Sequence, residues 1–174
     1  LFKNYGIKIL FEVQKAPRGL ADAFIMGENF IDEDNATLIL GDNIFENDFS
    51  KEIQGFVSGG HIFAKKVLDP ERYGVVKFDK NGRVLKIVEK PKVWLSDYAI
   101  PGLYIYDKRV ALAAKKSKPS KRGEIEITDL HNFYLEKNEL MVSVFNGAWL
   151  DAGTFDSLLE AGNINNNFIE CPFT

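Results

Sequence analysis

Apolar residues in this chain fall into short runs, broken by clusters of Gly, Pro, Asn and Asp. Residues 7–13 read as a strand, followed by the loop Gln14-Lys15-Ala16-Pro17-Arg18-Gly19. Apolar positions at Leu20, Ala23, Phe24, Gly27 and Phe30 recur at helical spacing and predict a helix over 20–30. Residues 36–40 predict a buried strand, 48–57 a short helix and 61–67 another strand. The pattern then changes. Tyr73-Gly74-Val75-Val76-Lys77-Phe78 and Arg83-Val84-Leu85-Lys86-Ile87-Val88 flank Asp79-Lys80-Asn81-Gly82, and Asn-Gly between such segments signals an antiparallel hairpin. A strand over 98–106 follows, then helices over 107–116 and 127–137 joined by a basic loop, a strand over 140–145, and a helix over 154–163 with Thr154 as N-cap.

Alternating strands and helices predict an α/β fold: a mixed, mostly parallel Rossmann-like sheet with helices on both faces and the hairpin as an insertion, forming a single domain over 1–174. A chain of 174 residues with 14 Phe can build a substantial core. A net charge of -3 gives no basic footprint for nucleic acid, although a mildly acidic protein can bind polyphosphates when metal ions carry the counter-charge. The one cysteine, Cys171, permits no internal disulfide framework and fits a reducing cytoplasm. No apolar run approaches the roughly 18 residues of a membrane span, and the first residues lack the apolar core of a signal peptide. A cytoplasmic location is therefore expected. His61 is expected to be a strand residue and His131 a helix-surface residue, and no Cys/His spacing suggests zinc.

Chemistry concentrates at the expected strand ends. Leu38-Ile39-Leu40-Gly41-Asp42-Asn43 is an apolar strand ending in a carboxylate. Open α/β sheets bind ligands just outside the carboxyl ends of their strands, so Asp42 can hold a divalent metal there or serve as a loop or cap residue. Gly41 leaves room for a ligand beside the backbone. Gln14 with Pro17-Arg18-Gly19-Leu20, Arg72-Tyr73-Gly74, Glu89-Lys90-Pro91 and Trp149-Leu150-Asp151 occupy comparable positions. Each also has a plainer reading: Glu89 and Lys90 as a solvated pair, Gln14 as a loop residue, Asp151 as compensation for a helix dipole, Trp149 as core.

Their order and spacing resemble one family. Gln14-x-x-Pro17-x-Gly19-Leu20-Ala21-x-Ala23, Leu40-Gly41-Asp42-Asn43, Asp69-Pro70-Glu71-Arg72-Tyr73-Gly74-Val75-Val76, Glu89-Lys90-Pro91, Gly102-Leu103-Tyr104-x-Tyr106-Asp107, Arg122-Gly123-Glu124-x-Glu126-Ile127-Thr128-Asp129 and Trp149-Leu150-Asp151-x-Gly153-Thr154 form a series. It resembles the bacterial glucose-1-phosphate thymidylyltransferases, which are sugar nucleotidyltransferases. The resemblance implies transfer of a thymidylyl group from dTTP to glucose 1-phosphate, with Mg²⁺ held by Asp42 and Asp151. It implies catalytic roles for Asp42, Asp151 and Lys90. Gln14 and Gly19 would meet the thymine base, Glu89 and Gly74 the sugar, Lys90 the sugar phosphate, and Trp149 the neighbourhood of the phosphates. Ile100 stands where the family carries Val or similar, in Ile100-Pro101-Gly102, and Pro101 removes a backbone donor there.

The family's first strand and glycine-rich loop, which wraps the triphosphate, have no counterpart in these residues. The chain is therefore expected to be part of a larger enzyme, a nucleotidyltransferase domain short of its N-terminal βαβ unit. Homo-oligomers, tetramers among them, are what the resemblance implies. The alternatives are a non-catalytic nucleotide-sugar-binding or regulatory module, a transferase using UTP or another sugar phosphate, or an α/β domain whose polar strand ends are incidental.

Overall fold

The structure, a computed structural model, describes residues 8–164. Residues 8–14 form no regular element, and Ile9, Leu10, Phe11 and Val13 are exposed. The strand expected over 7–13 is thus not formed where it is described, and Ile7 lies outside the described residues. No neighbouring strand takes up the backbone groups of this segment, and an unpaired strand has no stability of its own.

The helix expected over 20–30 divides into α1 (Asp22–Met26) and α2 (Glu28–Ile31). Gly27, a poor helix former, sits at the break and donates its N–H to Ala23 O at 2.9 Å. Strand β1 (Ala36–Ile39) then leads through a tight turn into β2 (Asn43–Phe45), which the hydrophobic pattern did not predict. Helix α3 (Ser50–Gln54) is shorter than expected, and Asp48 accepts the Ser50 N–H at 2.9 Å before it. Strand β3 (Gly60–Lys66) is followed by a 3₁₀ turn at Pro70–Arg72 and the expected hairpin, β4 (Gly74–Phe78) and β5 (Val84–Glu89). Pro101 and Gly102 split the strand expected over 98–106 into β6 (Tyr98–Ile100) and β7 (Leu103–Tyr106). The rest is α4 (Val110–Lys116), α5 (Ile127–Glu136), β8 (Leu140–Val144), β9 (Trp149–Asp151) and α6 (Phe155–Ile164). Thr154 caps α6 as expected, its Oγ1 accepting the Ser157 N–H at 3.2 Å.

Seven strands make one sheet in the order β1-β7-β3-β6-β4-β5, with β8 paired to β3. Strands β1, β3 and β8 run in one direction, and β7 runs against them between β1 and β3. The fold is α/β with a mixed sheet. The alternation of elements suggested mostly parallel pairing; among the described strands the parallel pairing is β3 with β8, and the others are antiparallel. The reason is that β6 and β7 enter between strands that a helical crossover alone would have left adjacent.

Strand β3 is buried on both sides, and its alternate residues feed two cores. Ile62 and Ala64 join Tyr104, Tyr106, Phe24, Val110, Leu130 and Tyr134 beneath α1, α4 and α5. Phe63 joins Leu103, Ile105, Phe49, Phe56 and Phe145 on the side of α3. The sheet is therefore clamped between helices, and its β1, β6 and β7 ends open onto the candidate site.

Candidate active site

Strands β2 and β9 form a small antiparallel ribbon in which Asn43 faces Asp151 and Phe45 faces Trp149. This register brings Asp42 and Asp151, 109 positions apart, to one place. The Ala152 N–H donates to Asp42 O at 2.7 Å. A Cβ at Gly153 would lie 3.1 Å from Asp151 Oδ1 and 3.3 Å from Asp42 Oδ2. Both carboxylates thus border one small space, which a side chain at Gly153 would crowd. Among the described residues no set of three or more His, Cys, Asp or Glu side chains is arranged to hold a metal. Two solvent-open carboxylates instead suit a cation such as Mg²⁺, which keeps waters and takes its other ligands from substrate phosphates.

Asn43 fixes the surroundings of Asp42. Its Oδ1 accepts from Trp149 Nε1 at 2.7 Å and from the Gly102 N–H at 2.8 Å, while its Nδ2 donates to Asp42 Oδ1 at 2.9 Å. Trp149 meets Tyr73 edge to face at 4.9 Å. Gly102 is required by close packing: a Cβ there would lie 2.5 Å from the Leu40 side chain. The sequence offers Asn43 only as a neighbour of Asp42. Its role needs the β2–β9 ribbon, which periodicity does not reveal.

The open end of the hairpin forms the next wall. Gly74 pairs with Glu89, and a Cβ on Gly74 would lie 3.0 Å from Thr128 Cγ2 and 3.3 Å from Glu89 Oε2. Glu89 Oε2 is buried without a hydrogen-bond partner. Burial raises the Glu89 pKa above the usual carboxylate value and the nearby Glu126 adds to this, against the pull of Lys90, Arg122 and Thr128. Lys90 adopts a positive φ of 40° and donates its backbone N–H to Tyr73 O at 3.0 Å. Its exposed ammonium forms no ion pair among the described residues. Arg72 is held by Asp69 at 2.8 Å and lies over the Tyr73 ring. Ile100, Tyr104, Thr128 and His131 line the interior of the resulting cleft, which is about 530 Å³.

His131 is fully buried rather than on a helix surface. The residues of α5 that face the sheet are Ile127, Thr128, Leu130, His131 and Tyr134, a stripe in which a histidine takes an apolar position. Its Nδ1 lies 2.6 Å from Tyr106 Oη, and burial pushes its pKa down to about 3. His61 is a strand residue as expected, with Nε2 2.8 Å from Ser143 Oγ.

A second cleft of about 540 Å³ adjoins the first and shares Leu20 and Leu40 with it. Gln14, Gly19, Pro17, Met26 and Leu38 are among its lining residues. Gly19 has φ 99°, and a Cβ on it would lie 2.4 Å from Ile125 O, so only glycine fits. Gln14 Nε2 donates to Asp22 Oδ2 at 2.8 Å and to Gly19 O at 3.2 Å. The structure thus brings Asp42, Gly74, Glu89, Lys90, Ile100, Trp149 and Asp151 around one cleft, and Gln14 and Gly19 around its neighbour. Asn43, Tyr73, Thr128 and His131 join the first cleft without having been given a part in the site from sequence.

The family model for nucleotidyl transferases matches residues 2–167. The chain belongs to that family. It is 47% identical to a glucose-1-phosphate thymidylyltransferase of Neisseria meningitidis, over 97% of this chain and 63% of the relative. It is 46% identical to one of Mycolicibacterium smegmatis, over 92% and 57%. A crystal structure from Bacillus anthracis, described as a glucose-1-phosphate thymidylyltransferase in complex with a sucrose, superposes with a TM-score of 0.85 at 38% identity, covering 95% of this chain and 68% of that one. This nucleotidyl transferase chain therefore spans less than two thirds of the length of these curated relatives. No helix among its described residues is long and apolar enough to cross a membrane. Cys171 lies outside the described residues.

Proposed function

We propose that the chain forms one nucleotidyl transferase domain that joins dTTP and glucose 1-phosphate, giving dTDP-glucose and pyrophosphate. The observation that carries the proposal is the convergence of Asp42 and Asp151 at the rim of a polar cleft that runs into a second, more apolar one. The names of the relatives support the choice of substrates.

In this reading an oxygen of the sugar phosphate attacks the α-phosphorus of dTTP. The new P–O bond forms as the bond to the pyrophosphate oxygen breaks in line, and no covalent enzyme intermediate is needed. Mg²⁺ held by Asp42 and Asp151 would supply charge neutralisation for the crowded phosphates. The chain's own residues position the partners. Lys90, exposed and in no ion pair among the described residues, meets the sugar phosphate as a point charge. Glu89 Oε2, buried and unpartnered, accepts from a sugar hydroxyl, and Gly74 leaves room for that hydroxyl beside it. Ile100 forms an apolar wall of the sugar site. Trp149, pinned by Asn43 and Tyr73, borders the phosphates. Gln14 and the backbone of Gly19 meet the base in the second cleft.

A second reading, nucleotide-sugar binding without transfer, is favoured by the small number of cations. Among the described residues lining the two clefts only Arg72 and Lys90 are basic, and Asp69 already engages Arg72. Pyrophosphate release with dTTP, glucose 1-phosphate and Mg²⁺, each omitted in turn, separates the two. Release that requires all three is expected for the transferase. No release, with dTDP-glucose still binding, favours the second reading.

A further inference from the structure

Gln14 offers one amide to the second cleft, and the direction in which that amide is held decides what it can recognise. Its two hydrogen-bond partners are a carboxylate oxygen of Asp22 at 2.8 Å and the carbonyl oxygen of Gly19 at 3.2 Å. Both are acceptors only, so the amide nitrogen must face them. Oε1 is the atom left to offer the cleft, and it can only accept.

Asp22 is the anchor of this arrangement. It is fully buried at the first turn of α1, an unusual place for a carboxylate. Arg18 compensates it, with Nε donating to Asp22 Oδ2 at 3.2 Å and Nη2 2.8 Å from Oδ1. Arg18 in turn is tied to Ile125, whose N–H donates to Arg18 O at 2.7 Å. The walls near Gln14 are apolar, from Pro17, Leu20, Met26, Leu38 and Leu40. An apolar slot with one fixed acceptor suits a flat heterocycle with an N–H at its edge.

Resting on the reading that the nucleotide base sits beside Gln14, we infer that Asp22 is a positioning residue that sets base choice by locking the Gln14 amide with its oxygen toward the ligand. Thymine and uracil carry a ring N3–H that donates to this oxygen. Cytosine presents a bare ring nitrogen at the same edge, so two acceptors would face each other with no proton between them. Rejection of this kind is larger than rejection by shape alone, because a desolvated polar group is left unpaired.

The test compares equilibrium binding of dTTP, dUTP and dCTP, with Mg²⁺, to the full chain and to its Asp22→Ala variant. The wild type should favour dTTP and dUTP over dCTP by about 10- to 100-fold. In the variant that ratio should fall to within about threefold, through a loss of dTTP affinity and a gain for dCTP as the freed amide rotates. A ratio unchanged in a folded variant overturns the role of Asp22. A wild type that binds dTTP and dCTP equally overturns the inference and leaves the nucleotide site standing. A wild type that binds none of the three overturns the functional reading as well. Should Asp22→Ala not fold, hydrogen exchange of the Gln14 side-chain amide in the free wild type decides instead: protons exchanging as fast as in an exposed glutamine overturn the lock, and protected ones support it.

Discussion

The two clefts are nearly equal in volume and share a wall, yet they treat polar atoms in opposite ways. Around Asp42 polar groups are left over: Glu89 Oε2 and His131 Nε2 have no partner, and Lys90 forms no ion pair among the described residues. Around Gln14 most are consumed within the protein, through Asp22, Arg18 and the backbone of Gly19, leaving Gln14 Oε1 free and Asp22 Oδ1 facing Arg18 Nη2 at 2.8 Å as an ion pair without a hydrogen bond. Unsatisfied groups mark a surface that awaits a polar ligand, whereas satisfied ones mark a shape that is already set. If this contrast is right, damage to the first cleft should abolish chemistry with little cost in stability, and damage to the second should unsettle the fold. The largest effect is expected at the carboxylate pair. Asp42→Asn or Asp151→Asn should each lower the rate of pyrophosphate release by on the order of 10²–10³-fold, the scale of losing one electrostatic contact in an active site. The double variant should be scarcely worse than either single one, since the two act as a unit. Thermal unfolding of both variants should match the wild type; additive losses in rate would break the pair apart.

Gly19→Ala probes the other side. Its Cβ would meet Ile125 O at 2.4 Å with φ at 99°, so strain and overpacking together should cost about 2–4 kcal/mol. Gly41→Ala is the control. Nothing lies within 4 Å of a Cβ there, and a change below about 0.5 kcal/mol is expected. Urea unfolding of the two variants gives the comparison directly. Equal costs would mean that the second cleft is no more rigid than the turn beside Asp42.

The same contrast explains what could be read in the sequence. Elements that rest on local signals were legible: the hairpin from Asn81-Gly82, β3 from its apolar run, the α6 cap from Thr154. Asp42, Glu89, Lys90 and Asp151 were legible as strand-end polar residues in a family-like order. What escaped depends on partners distant in sequence. Ribbon β2–β9 consists of two three-residue strands stabilised by each other, so neither shows a pattern alone. Residues 8–13 have the composition of a strand, but a strand exists only where another one pairs with it. His131 read as a surface residue because a lone imidazole on a helix has no periodic signature; its burial depends on Tyr106 of a different strand. Asp22 escaped for a similar reason, since a carboxylate in a first helical turn reads as dipole compensation rather than as a buried anchor.

His131 supplies a third test, now of the interior of the first cleft. Its imidazole is neutral in the folded chain down to about pH 3, whereas in the unfolded chain it takes up a proton near pH 6.5. The unfolded state then binds more protons between those values, so stability should decline as pH falls through that window. At pH 4.5 the loss relative to neutral pH should be on the order of 2–3 kcal/mol from this residue. His131→Asn, short and uncharged, should flatten the acid limb of a stability-against-pH curve. An unchanged limb would mean that the histidine reaches solvent in the native state.

Glu89 lies across the same cleft and should act with the opposite sign and a smaller size. Burial raises its folded pKa above the unfolded value, so between the two the folded chain holds the extra proton. Stability contributed by that proton is present below the ordinary carboxylate value and is lost as pH rises through the folded one. Whenever Glu89 is ionised, the free chain carries a buried, unpartnered Oε2, with Arg122 Nη2 4.0 Å from Oε1. Glu89→Gln should remove this burden, with a gain in stability within about 1 kcal/mol. The same change removes the strongest acceptor facing the cleft, so binding of glucose 1-phosphate should weaken about tenfold, as when a hydrogen bond to a charged group is lost. The two measurements must move in opposite directions. A variant that loses both stability and sugar affinity would show that Arg122 and Thr128 hold the Glu89 carboxylate firmly enough to outweigh its burial, and the first cleft would then resemble the second.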